Sequence, residues 1–146
     1  MNKVILLILI LSFQVNLYSA NHIVKMLNQG AEGVMVFEPA VLKINPGDSV
    51  TFKSIDAAHN SASISSMIPN NAQAWNGDLS RDITVDFNIP GVYVYQCTPH
   101  VMMAMVGVIQ VGNDKSNLDT IRAAATQFKS IFVMNQSRLD DYLSKI

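Results

Sequence analysis

Short runs in which hydrophobic and polar residues alternate, separated by turn-forming residues, follow one another along most of the chain. The clearest run places Ile83, Val85 and Phe87 on one face, as expected for a strand with one buried side. Comparable runs, rich in β-branched and aromatic residues, occupy 21–27, 34–37, 41–44, 49–52, 91–96 and 106–111. The polar, proline and glycine residues between them, including the stretch 28–33, predict turns. The pattern predicts an all-β sandwich.

The pattern changes after Gly112, where hydrophobic residues recur at helical spacing. One helix is predicted over 118–126, with Asn117 as its N-cap. A second helix is predicted to carry its hydrophobic face over 139–146, with Ser137 as its N-cap. The sandwich is therefore expected to continue, from about residue 117, into a tail of two short helices.

The first 19 residues differ from the rest of the chain. A weakly basic start precedes a hydrophobic run from Val4 to Leu11, and the small residues Ser19 and Ala20 follow. This is the layout of a secretory signal peptide, cleaved after Ser19 or after Ala20. The alternative is an uncleaved anchor, but the run is short for a bilayer span. Residues 20–146 are then expected to form a single exported domain.

Composition and charge narrow the possible partners. The chain has 146 residues, of which 49% are hydrophobic and 14% charged, and this is typical of one globular domain. Its net charge of −1 becomes about −2 once Lys3 leaves with the signal peptide. We expect no nucleic-acid partner, because no basic excess is present, and we expect a monomer without stable membrane association.

The candidate chemistry is concentrated between the last two predicted strands. The single cysteine, Cys97, can form no disulfide within the chain, so its presence in an exported protein needs another explanation. His100 follows three residues later, and methionines follow at 102, 103 and 105. A thiolate, two imidazoles and a weak axial thioether are the ligand set of blue copper sites. The second imidazole is assigned to His59, since His22 lies at the new N-terminus, and the spacing leaves the choice of methionine open.

Each of these residues also has a simpler interpretation. Taken alone, Cys97 is more simply explained as a small buried hydrophobic residue, and the methionines as core filler. A c-type haem is excluded because no Cys-x-x-Cys-His motif is present. Structural zinc needs four strong ligands, and this chain offers three. A hydrolase with Cys97 as nucleophile lacks an evident acid to orient His100, so the convergence of these residue types in one loop favours copper.

Several short segments of the chain match one known family. They are Val34-Met-Val-Phe-Glu-Pro-Ala40, Pro46-Gly-Asp48, His59-Asn60, Met67-Ile-Pro69, Pro90-Gly-Val-Tyr93, Cys97-Thr-Pro-His100 and Met105-Val-Gly-Val-Ile-Gln-Val-Gly112. Through them the chain resembles the pseudoazurins, proteins of the cupredoxin fold, from about residue 24 to residue 112. The resemblance implies a Greek-key β-sandwich and one type 1 copper ion bound by His59, Cys97, His100 and Met105. It is the resemblance, and not the spacing, that selects Met105.

The resemblance also implies a function. It implies a periplasmic electron carrier that receives electrons from a cytochrome or another donor. The implied acceptor is copper nitrite reductase or another denitrification enzyme. We expect no catalytic activity of the chain itself, because a copper nitrite reductase needs a second cupredoxin domain and a second copper ion.

The residues around the implied ligands carry further expectations. In the family's pattern the backbone N–H of Asn60 hydrogen bonds to the Cys97 sulfur, whereas Pro99 has no N–H to donate. A flat hydrophobic docking patch is expected around the His100 imidazole, and it is formed by Val101, Met102 and Ala104.

Two features differ from the family's pattern. Residues 101–104 are Val-Met-Met-Ala, where family members usually have an aromatic residue and glycines. The lysines are scattered, where family members commonly carry a ring of them, so the acceptor is the weakest implied property. The methionine-rich loop also leaves an alternative function open, that of a periplasmic protein that binds copper and delivers it.

Overall fold

The computed structural model describes residues 19–146, so the predicted signal peptide, except for its last residue, lies outside the described residues. Within 19–146, eight strands form two sheets. The first sheet has the order β2-β1-β4-β6, and its strands are β1 (Asn21–Gly30), β2 (Gly33–Glu38), β4 (Asp48–Ser54) and β6 (Ile83–Phe87). The second has the order β3-β8-β7-β5, and its strands are β3 (Val41–Ile44), β5 (Ala62–Ser63), β7 (Gly91–Gln96) and β8 (Val106–Val111).

Both sheets are mixed. β1 pairs with β4 and β3 pairs with β8 in parallel, and the other pairs are antiparallel. Side chains from both sheets form the central core, which contains the aromatic residues Phe37, Phe52, Trp75 and Tyr95. The same buried cluster includes Cys97, so the candidate ligand loop is anchored directly to the core.

The predicted all-β sandwich with helices near its C-terminus is confirmed, with differences at two strands. β1 continues to Gly30 through a stretch predicted as a turn, because Gln29 pairs with Val34 in the neighbouring strand β2. The short strand β5 was not predicted, since two residues are too few for a periodic pattern. Backbone pairing within the β1–β2 hairpin therefore overrides the local polar character of 28–30.

Two helices, α1 (Leu118–Phe128) and α2 (Arg138–Leu143), cover the outer face of the second sheet. Short 3₁₀ helices lie at Ser65–Met67, Thr98–Met103 and Lys129–Ile131. Asn117 and Ser137 occupy the predicted N-cap positions of α1 and α2, but neither side chain bonds to the helix backbone. The Asn117 side chain exchanges hydrogen bonds with the backbone of Val92, and the Ser137 hydroxyl donates to the Asp141 carboxylate. Among the described residues, no helix is long and apolar enough to cross a membrane.

Candidate metal centre

Three of the residues predicted as ligands meet at one end of the sandwich. His59 lies between β4 and β5, Cys97 directly follows β7, and His100 lies in the 3₁₀ helix Thr98–Met103. The Cys97 Sγ is 3.6 Å from Nδ1 of His59 and 3.4 Å from Nδ1 of His100. The two Nδ1 atoms are 3.1 Å apart. His22 is not part of this cluster, and its Nε2 bonds instead to Asp48.

The spacing of these three atoms fits a metal ion. Their triangle has sides of 3.1, 3.4 and 3.6 Å. The point equidistant from its corners lies about 2.0 Å from each, which is a normal metal–nitrogen bond length in proteins. A thiolate and two imidazoles in a trigonal arrangement are the donor set of a blue copper site.

Asn28 fixes the orientation of His59, although it was not among the residues predicted for the centre. The Nε2 atom of His59 lies 2.9 Å from the Asn28 side-chain oxygen. That oxygen accepts only, so Nε2 carries the proton and Nδ1 keeps its lone pair for the centre. The extension of β1 beyond Leu27 places Asn28 there. A polar residue in a segment predicted as a turn gave no signal of this role.

Burial and hydrogen bonding set the protonation of the cluster. Burial raises the pKa of the Cys97 thiol, and the backbone N–H groups of Asn60 and His100 offset part of that rise. A role for the Asn60 N–H at the sulfur was predicted, whereas one for the His100 N–H was not. Burial lowers the pKa of His59, and the facing His100 lowers it further. A neutral His59 imidazole beside a buried sulfur suits a cation, which would stabilise the thiolate.

Asn60 joins the two segments that carry the cluster. Its side-chain oxygen accepts from the backbone N–H of Thr98 at 2.8 Å, and its amide nitrogen donates to the Thr98 hydroxyl at 3.1 Å. The same nitrogen donates to the Gly77 carbonyl at 3.0 Å. Since Asn60 is only 4% exposed, these bonds hold His59 and Cys97 in register without competition from water.

Met105 lies at the end of the same loop. Its carbonyl accepts from the Cys97 backbone N–H at 2.9 Å, and its own N–H donates to the His100 carbonyl at 3.3 Å. Its side chain is fully buried in the cluster that contains Cys97. Met102, by contrast, is 53% exposed, so burial favours Met105 as the methionine of the centre.

The surface around His100 differs in part from the predicted docking patch. His100 and Val101 are half-buried and Met102 is exposed, as a docking patch requires. Ala104 is fully buried and takes no part in the surface, so its assignment to the patch is wrong. It adopts a left-handed backbone conformation, with φ of 57°, that turns the chain inward toward Met105. Val133 and Met134 of the C-terminal segment add exposed hydrophobic surface, and the Val133 N–H donates to the Met102 carbonyl.

Known proteins resemble the chain over this whole region. The family of copper-binding proteins that contains plastocyanin and azurin matches residues 24–112, which include all four predicted ligand positions. A pseudoazurin of Paracoccus pantotrophus is 36% identical over 129 residues, which are 88% of this chain and 86% of that protein. The crystal structure of pseudoazurin from Methylobacterium extorquens AM1 has a TM-score of 0.76 at 36% identity, over 86% of this chain and 98% of that one. A pseudoazurin structure from Sinorhizobium has a TM-score of 0.68 at 44% identity, over 77% and 96%.

Proposed function

Since the chain belongs to the plastocyanin/azurin family of copper-binding proteins, and within it to the pseudoazurins, we propose that it carries electrons in the periplasm and binds copper through His59, Cys97, His100 and Met105. The protein is a blue copper electron carrier of the cupredoxin fold with one type 1 copper ion. Bound copper supplies a one-electron Cu(I)/Cu(II) couple. The observation that carries the ligand assignment is the triangle formed by Cys97 Sγ and the two Nδ1 atoms.

The protein's part in this function is to hold the donor atoms and exclude water. His59, Cys97 and Met105 are fully buried, and Asn28 and Asn60 restrain the segments that carry them. Donors held in this way move little when the charge of the centre changes, which favours fast electron transfer. His100 is half-buried, so it is the one proposed ligand that reaches the surface.

Single substitutions at the proposed ligands test the assignment. We expect Cys97→Ser to abolish the visible colour of the Cu(II) protein and Met105→Leu to change its midpoint potential. Met102→Leu is the matched control, because Met102 lies in the same loop but is exposed. Equal effects of the two methionine substitutions would contradict the assignment of Met105.

We propose that the donor is a cytochrome and that the acceptor is a copper nitrite reductase. The redox partner docks on the face around His100. The hydrophobic character of that face supports docking, because Val101, Met102 and Met103 directly follow the half-buried His100 and are themselves partly or largely exposed. Such surfaces mark sites of association in otherwise polar proteins.

Stopped-flow oxidation of the reduced protein by copper nitrite reductase tests the docking face. Met102→Glu is expected to slow the second-order rate at least tenfold. Ile89→Glu is the control, since Ile89 is also exposed but lies in the turn between β6 and β7, at the opposite end from Cys97. Equal rates for the two variants would exclude this face, and no oxidation of wild type would exclude this acceptor.

Copper delivery is a second candidate function, favoured by the exposed thioethers beside the centre. Met102 is 53% and Met134 is 38% exposed, and thioethers are soft ligands that select Cu(I). A carrier retains its metal through redox cycles, whereas a delivery protein releases it. Incubation of the reduced protein with a Cu(I) chelator, before and after reoxidation, separates the two, and rapid loss only on reduction would favour delivery.

A further inference from the structure

Arg138 is the buried charge that the proposed function does not use. It begins α2, is only 7% exposed, and directs its guanidinium at the last part of the ligand loop. One guanidinium nitrogen, Nη1, lies 3.1 Å from the carbonyl oxygen of Ala104 and 3.5 Å from that of Met103. The same nitrogen lies 3.0 Å from the carbonyl oxygen of Met35 in β2.

Backbone carbonyls, and not a carboxylate, surround this charge. The second nitrogen, Nη2, lies 3.3 Å from the Val34 carbonyl oxygen and 3.5 Å from that of Glu32. Among residues 19–146, no carboxylate lies within ion-pair distance of Arg138, and the nearby Glu32 carboxylate pairs with Lys145. The planar guanidinium, with several N–H donors in fixed positions, can bond at once to carbonyl oxygens near β2 and in the loop, and a lysine would not reproduce these contacts.

The carbonyl of Ala104 is the contact that connects Arg138 with the centre. Ala104 has φ of 57°, a conformation uncommon for residues other than glycine, and it directly precedes Met105. The Ala104 N–H bonds to the carbonyls of His100 and Val101, while its carbonyl faces Arg138. The strained residue is thus held from both sides, and the guanidinium supplies the only one of these contacts that comes from outside the loop.

Asn135, three residues before Arg138, also holds the ligand loop. The Asn135 side chain donates to the Met103 carbonyl at 3.3 Å. Asn135 and Arg138, just before and at the start of α2, therefore contact the two loop residues that immediately precede Met105.

We propose that Arg138 is a positioning residue for the copper centre. It holds the carbonyls of Met103 and Ala104 and thereby fixes the position of the Met105 side chain relative to the other ligands. This gives the C-terminal helix a role in setting the midpoint potential. The inference rests on the proposed function, because it takes Met105 as the axial ligand. When the guanidinium is lost, the loop gains an alternative conformation and the thioether is held less firmly.

Hydrogen exchange of the metal-free protein tests the structural half of the proposal. In Arg138→Met and Arg138→Lys we expect the amides of Ala104 and Met105 to exchange at least tenfold faster than in wild type. The amides of β6 are the internal reference. Arg122→Met is the matched control, since Arg122 lies on α1, is half exposed and contacts Asp119. Unchanged exchange at both loop amides would overturn the proposal.

The midpoint potential of the copper-loaded protein tests the other half. Arg138→Lys keeps the charge, so a shift in its potential reports the loop and not the electrostatics. We expect a rise, because a less firmly held thioether donates less to Cu(II), and no shift in Arg122→Met. Faster exchange with an unchanged potential would reduce Arg138 to a purely structural role and overturn the proposal.

Two further results keep the outcomes separate. If Arg138→Met does not fold, Asn135→Gly removes only the contact to Met103 and keeps the positive φ of 53° at that position, and a rise in Met105 exchange is expected there too. If wild type forms no blue copper centre, the proposed function fails. If wild type is blue and Arg138→Lys matches it in both exchange and potential, only this inference fails.

Discussion

Asn28 offers a sharp test of how the protein orients a ligand. In Asn28→Ala the His59 Nε2 loses the oxygen 2.9 Å away, while His59 itself stays fully buried. An unsatisfied buried donor costs about 1–3 kcal/mol. We expect the low end of that range, because Asn28 is exposed and water can reach the vacated position. About 1 kcal/mol corresponds to a five- to tenfold loss of metal affinity, near the lower limit for such supporting contacts.

Competition titration with a chelator of known Cu(II) affinity measures this loss. Gln29→Ala is the matched control, since the neighbouring exposed side chain makes only a long contact with the Gly30 carbonyl. We expect its affinity to equal that of wild type. If Asn28→Ala binds Cu(II) within twofold of wild type, the hydrogen bond does not orient His59.

Four further predictions follow from other parts of the structure. Pro99→Ala introduces an N–H next to the loop sulfur, so the midpoint potential measured by voltammetry should rise, and an unchanged or lower value would count against the idea. The Ala20 N–H, with His22 and the Asn45 N–H, lowers the pKa of Asp48 to about 2. The ionised Asp48 therefore stabilises the fold above its unfolded pKa near 4, and this stabilisation is lost as the pH falls toward 2. Between pH 4 and pH 2 the free energy of unfolding, measured by urea titration, should fall by about 1–2 kcal/mol more in wild type than in Asp48→Asn. Lys53, Lys129 and Lys145 each pair with a carboxylate, so the rate of electron transfer to an acidic acceptor should depend only weakly on ionic strength, and a steep dependence would reveal a basic patch. A Cβ at Gly107 would lie 2.3 Å from the buried Tyr95 ring, so Gly107→Ala should lower the free energy of unfolding by about 1–3 kcal/mol, and a neutral result would mean that the ring can move.

Local pattern sufficed for much of the fold. The strands 41–44, 91–96 and 106–111 have the predicted bounds, because β-branched and aromatic runs end there at turn residues. Asn117 and Ser137 stand at the predicted N-cap positions, but their side chains bond to Val92 and Asp141 and not to the helix backbone. The partner of Asn117 lies 25 residues away, beyond any local sequence window.

The site was predictable to a different degree for each residue. Cys97 and His100 stand out by type and spacing, and His59 follows by elimination. Met105 needed the resemblance, since its burial relative to Met102 is visible only in three dimensions. Asn28 and Arg138 gave no signal, because their roles depend on contacts with segments 31 and 34 positions away.

The visible absorption spectrum of the copper-loaded protein through one redox cycle shows whether Cys97 binds the copper ion of a reversible electron carrier. We expect an intense blue colour from the bond between the Cys97 thiolate and Cu(II), its loss on reduction, its full return on reoxidation with one copper ion retained per chain, and no such colour in Cys97→Ser. A pale or colourless Cu(II) protein, or a wild-type spectrum equal to that of Cys97→Ser, would contradict this role of Cys97.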